Sequence, residues 1–199
     1  MRKSKSDTAE TRKRIVAMAA GVFLEKGLAA TGVADIMAAA GLTQGGFYRH
    51  FESKEQLIAE ASAAAFERSF ELFGKELTGL APRAALTKLV QLYLTQRQCQ
   101  DAPLCPVAHL CSELPHADAG IRAAAQAGQR KTVEVIAGLL RASECPDPQG
   151  TAQAIAAILL GAVTLARLAD SAAAADQILR NAEQAAELIA GAAQPLSQA

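Results

Sequence analysis

The sequence has no tryptophan, and aromatic residues make up only 4% of it. Nowhere do β-branched residues alternate with polar ones as a half-buried strand requires, which excludes a sheet as the organising element. Formal net charge is zero, so no global basic field marks a nucleic-acid partner. No run approaches the roughly 18 apolar residues that span a bilayer; residues 152–166 come nearest, and Gln153 and Thr164 interrupt them. The basic start leads into an amphipathic segment rather than an apolar one, so no secretory leader is expected. Four irregularly spaced cysteines, in a chain long enough to bury a core, argue against a disulfide scaffold. What these absences leave is a soluble, cytoplasmic protein with reduced thiols and no membrane partner.

What is present favours helix. Half the chain is apolar (51%), alanine is abundant, and long Ala/Leu/Glu/Gln/Arg-rich runs have high helix propensity. An all-α fold follows, with one large domain or two small ones in 199 residues. Charge is balanced but uneven: Arg2, Lys3, Lys5, Arg12, Lys13 and Arg14 crowd the amino terminus against Asp7 and Glu10. Such a run reads either as a solvated tail or as an arm that contacts phosphates.

Residues 31–54, TGVADIMAAAGLTQGGFYRHFESK, organise the rest. Before them, Ile15, Met18, Ala19, Val22 and Phe23 repeat at three and four residues, predicting a helix with one apolar stripe that ends at Gly27. Its opposite face carries Arg12 and Lys26, suited to solvent or phosphate. A second helix is expected over 33–40, with Val33, Ile36, Met37 and Ala40 inward. Gly41-Leu42-Thr43 then leads into a third helix over 44–50 with Thr43 as its N-cap. A glycine-containing turn of three to four residues between short helices is the spacing of a DNA-binding helix-turn-helix.

Within the third helix, Gly45 and Gly46 allow either close packing on the second helix or close approach of the backbone to DNA. Phe47 and Phe51, four apart, should plug a small core, leaving Tyr48 and His50 turned away from it. With Thr43, Gln44 and Lys54 these two form a polar, partly cationic face of the types that bond phosphates and base edges. Ser53 with Gln56 three residues on has the form of a capping box. It opens a long helix over 54–75, with Leu57, Ile58, Ala61 and Ala65 inward.

These residues resemble the TetR-type (tetracycline-repressor-like) family of bacterial transcription regulators. The resemblance lies in the helical start from Ile15 to Gly27, in Thr31-x-Val33-x-x-Ile36, and in Ala40-Gly41-Leu42-Thr43-x-Gly45-x-Phe47-Tyr48-x-His50-Phe51-x-Ser53-Lys54-Glu55. It is close over the first quarter to third of the chain and extends further only in length and helical layout. It implies that Thr43, Tyr48, His50 and Lys54 bond phosphates and that Gln44 and Gly45 sit where bases are read. Gly32 departs from the Ser or Thr common in the family, which removes one phosphate or capping contact. The resemblance further implies residues 1–53 as the DNA-binding domain and 54–199 as a helical effector-binding and dimerisation domain. A homodimer would then place two recognition helices in successive major grooves of a near-palindromic operator, about 34–36 Å apart.

In the carboxy-terminal part, Pro82 should open a helix reaching about residue 98, with Leu86, Leu89, Val90 and Tyr93 inward. Cys99, Cys105, Cys111 and His109 then fall within thirteen residues of one another. Cys105 stands as an N-cap before Pro106. Three readings are open. The cysteines are small core hydrophobes, Cys105 is a sensor thiol activated by a helix N-terminus and His109, or Cys105, His109 and Cys111 or His116 hold a metal. A helix over 118–142 follows, carrying Ile121, Val133, Ile136, Leu139 and Leu140. Asp147-Pro148 starts another that is apolar nearly all round. With a last helix over 174–192 it should build a subunit interface, the four-helix dimer core that the resemblance implies.

The function expected is that of a one-component repressor released from its operator by a small-molecule effector. A thiol-sensing repressor acting through Cys105 is the alternative, and an enzyme using Cys105 and His109 a remote one. No orienting carboxylate or oxyanion hole is evident, so no enzymatic activity is expected. No cofactor is implied.

Overall fold

The computed structural model of the chain describes residues 5–95 and 106–192. Gly27 takes φ +86° and donates its N–H to Phe23 O (2.9 Å), closing the first helix, α1 (Lys5–Lys26), where the sequence predicts. Gly41 does the same at φ +68° after α2 (Val33–Ala39), while Leu42 N–H bonds Met37 O at 2.8 Å. The third element, Gln44–Arg49, is a 3-10 helix (η1) rather than the α-helix expected. The difference follows from its length, because the tighter i to i+3 bonding suits short pieces. Thereafter come α3 (Lys54–Leu77), α4 (Pro82–Leu94), α5 (Pro106–Leu110), a 3-10 turn η2 (Leu114–His116), α6 (Ala119–Ala142), α7 (Pro148–Leu168) and α8 (Ala172–Ala192). Among the described residues there is no strand, and the all-α expectation holds.

Packing divides the chain into two compact units, Met1–Ser69 with Gln100–Gly128, and Phe70–Cys99 with Gln129–Ala199. Both α3 and α6 continue through the division. In the first unit Ile15, Ala19 and Phe23 of α1, Ile36 and Met37 of α2, Phe47 of η1, and Phe51, Leu57 and Ile58 form one buried cluster. Burial of side chains this size contributes about 1.5–3 kcal/mol each. Leu110 of α5 and Ile121 of α6 lie in the same cluster, so a distant part of the chain closes the small core. Two residues of the expected stripe do not belong to it, the half-buried Val22 and the exposed Met18. Met18 is 41% exposed, because α1 buries the face of Thr11, Ile15, Ala19 and Phe23, spaced by four.

Arg12 is no solvent-facing cation. Its guanidinium lies 4.6 Å from the Phe51 ring centroid, its Nε donates to His50 O (3.2 Å), and its terminal nitrogens meet the Glu60 carboxylate at 2.5 and 2.6 Å. Gln56 extends the network, donating to Glu60 Oε1 (3.1 Å) and accepting Glu52 N–H (2.7 Å). Ser53 Oγ accepts the Gln56 N–H at 3.1 Å as predicted, but the return bond goes to Glu52, one residue earlier than in a regular capping box. One side chain of α1 thus fixes the carboxy end of η1 and the start of α3.

In the second unit α7 and α8 pack along each other and α4 packs on both. Asp147 caps α7 by accepting Gly150 N–H (2.9 Å), with Pro148 at the first turn. Contrary to the sequence expectation, α7 is long and apolar enough to cross a membrane, with a mean hydropathy of 1.6 over its best window. It packs against α4 and α8 and buries one face, including Ile155, Leu159 and Val163. Leu165 (56%), Leu168 (77%) and Leu188 (73%) remain exposed on α7 and α8.

Replacing Arg12 by Met keeps the apolar stem and removes the charge. Because the Arg12 and Glu60 side chains are 37% and 32% exposed, the ion pair itself contributes little. The cation–aromatic contact and the bond to His50 O bring the expected loss to about 1–2 kcal/mol in urea unfolding. An unchanged unfolding midpoint would contradict the clamp.

Candidate nucleic-acid interface

The turn from α2 into η1 presents Thr43, Gln44 and Gly45 as exposed residues. Thr43 occupies the N-cap position in extended backbone (φ −84°, ψ 146°), yet its hydroxyl makes no capping bond. An added Cβ would meet open space at Gly45 but would touch Met37 Cε at 3.5 Å at Gly46. Gly46 thus faces α2 at ordinary contact distance, whereas Gly45 is open on the outer surface.

Phe47 is fully buried and stacks 5.5 Å from Phe51, which anchors η1 from beneath. Tyr48 rests edge-on against Phe47 (5.2 Å) and is 77% exposed, so its phenol points away from the core as expected. Arg49 is exposed on the same short helix. Sequence reasoning passed over it, although a cation between Tyr48 and His50 was the available clue. Thr43, Gln44, Gly45, Tyr48 and Arg49 supply hydroxyl, amide, bare backbone, phenol and guanidinium, donors fit for phosphate oxygens and base edges.

His50 and Lys54 are half-buried. The Lys54 ammonium donates to Leu28 O at 2.7 Å, so it is already engaged with the turn after α1. Leu28 N–H and Ala29 N–H in turn donate to the Glu113 carboxylate at 2.9 Å each. Glu113 lies 85 residues from Leu28 in sequence, and no local pattern could have found it. At the α2 N-cap, Gly32 has no side chain to cap the helix, and Asp35 restores part of the motif by accepting Gly32 N–H (2.9 Å).

Cys99 and Cys105 lie outside the described residues. His109 is half-buried on α5, and Cys111, just past α5, is exposed. Among the described residues no group of three or more His, Cys, Asp or Glu side chains could hold a metal ion. In the second unit a groove of about 480 Å³ runs between α4 and α8, lined by Gln91, Leu94, Asp176, Leu179, Arg180 and Glu183.

Residues 15–61 match the sequence profile of the family described as "Bacterial regulatory proteins, tetR family". The HTH-type transcriptional repressor KstR2 of Rhodococcus jostii is 38% identical over 109 residues, covering 53% of this chain and 50% of that protein. The transcriptional regulator AcrR of Shigella flexneri is 39% identical over 59 residues, 30% of this chain and 27% of that one. The chain thus aligns with half or less of the length of these curated relatives. Among solved structures, the reduced form of NemR from E. coli has the same fold, with a TM-score of 0.76, 20% identity and coverage of 88% of this chain and 96% of that one. A TetR transcriptional regulator from Chloroflexus aurantiacus is 30% identical with a TM-score of 0.75, covering 90% of this chain and 95% of that one. With likeness of sequence and of fold along nearly its whole length, this chain belongs to the TetR family of transcriptional regulators.

Proposed function

We propose that the chain is a transcriptional repressor that binds a near-palindromic operator as a homodimer and is released by a small-molecule effector. The observation that carries the reading is the exposed polar surface of η1 held on a fully buried Phe47. In this reading residues 1–53 form the DNA-binding domain. Thr43, Tyr48, His50 and Lys54 bond phosphates, Gln44 and Gly45 meet base edges, and Arg49 joins them. Residues 54–199 form the effector-binding and dimerisation domain. Exposed Leu165, Leu168 and Leu188 support pairing through α7 and α8, since apolar side chains this open on packed helices suit a subunit interface. The groove between α4 and α8 offers room for a small molecule, with carboxylates and Arg180 at its walls. An effector acts only through its differential affinity for the DNA-binding and released states. Such a protein works in the cytoplasm, without cofactor and without enzymatic activity.

Fragments selected from genomic DNA should bind this chain far better than random DNA, with affinity that falls as salt rises. Lys54→Met should lower affinity across fragments and reduce the salt slope by about 1, the signature of one lost phosphate contact. Equal affinity for selected and random DNA would sink the reading. By sedimentation the chain should run at twice its own mass, and a Leu168→Glu, Leu188→Glu double variant should run as a monomer. A monomeric native chain would remove the proposed pairing.

A further inference from the structure

One peptide group, between Leu28 and Ala29, is held at both ends by charged side chains. Its carbonyl accepts from the Lys54 ammonium (2.7 Å) and its N–H donates to Glu113 Oε2 (2.9 Å). Glu113 also takes the preceding Leu28 N–H on both oxygens, at 2.9 and 3.2 Å. A peptide polarised from both sides binds each partner more firmly than either would alone, because hydrogen bonds in a chain strengthen one another. The carboxylate fits closely here: a Cβ at Gly27 would come within 2.7 Å of Glu113 Oε1.

The two ends of this bridge come from very different parts of the chain. Lys54 opens α3 beside the polar face of η1. Glu113 sits between α5 and η2, flanked by Leu110 and Ile121, which are buried in the same core. We propose that Glu113 is a positioning residue for DNA binding, acting through the Leu28–Ala29 peptide to hold Lys54 in register at the start of α3. The proposal rests on the DNA-binding reading above and adds a second route of control. Besides the continuous helix α3, a movement of the Pro106–Leu110 helix and the turn after it would reach the DNA face through a single carboxylate.

A double-mutant cycle on operator affinity tests this, using Glu113→Ala, Lys54→Met and both together at a temperature well below unfolding. Glu113→Ala alone should weaken binding to the selected fragment about tenfold, and should add less than about twofold to Lys54→Met, since contacts in one network are non-additive. Glu113→Gln, which keeps one acceptor oxygen, should recover part of the loss and serves in the same cycle if the alanine variant does not fold. In DNA-free protein, Glu113→Ala should speed amide exchange at Leu28 and Ala29 while the buried Ile36 and Met37 amides stay protected. Additive losses, wild-type affinity in Glu113→Ala, or unchanged exchange at Leu28 and Ala29 would overturn the proposal. If the native chain shows no preference for its selected fragment, the DNA-binding reading fails first, an outcome distinct from additivity.

Discussion

The short helix η1 cannot hold its own shape. It has six residues, two of them glycine, and in isolation the cost of ordering so short a helix exceeds what its few hydrogen bonds return. Its geometry is imposed from below by Phe47, fully buried against α1, α2 and the start of α3, and from its carboxy end by Arg12. Everything proposed for the polar face depends on that anchorage. Thr43, Gln44, Gly45, Tyr48 and Arg49 are presented together because Phe47 is not free to move.

The same dependence explains why distant residues take part in so small a unit. Leu110 and Ile121 belong to the same core as Leu57 and Ile58, and Glu113, between them in sequence, binds the turn after α1. The compact unit is therefore built from two stretches of sequence, and α3 and α6 both leave it for the second unit. Under the proposed DNA-binding reading, a local displacement near α5 would alter the Leu28–Ala29 backbone to which Lys54 bonds.

Much of this was legible in the sequence, for local reasons. Gly27 and Gly41 end helices, Asp147-Pro148 starts one, and Phe47 and Phe51 fill the core because each obeys rules written within four residues of itself. What depends on long-range packing was not legible. The apolar stripe of α1 predicts Arg12 toward solvent or phosphate, yet it binds Glu60, 48 residues away. The same stripe predicts Met18 inward, but the buried face of α1 is turned slightly aside from it. That Gly46 faces Met37 while Gly45 is open is a distinction only the packing makes. Lys54 was legible as a member of the polar face, but its bond to Leu28 O was not.

The central claim is that η1 and the residues beside it meet DNA. Hydrogen–deuterium exchange of the chain with and without its selected operator fragment tests it most directly. The account predicts new protection concentrated in peptides spanning 43–54, with the α4–α8 groove little changed. Protection confined to that groove, or none in 43–54 at saturating DNA, would contradict it.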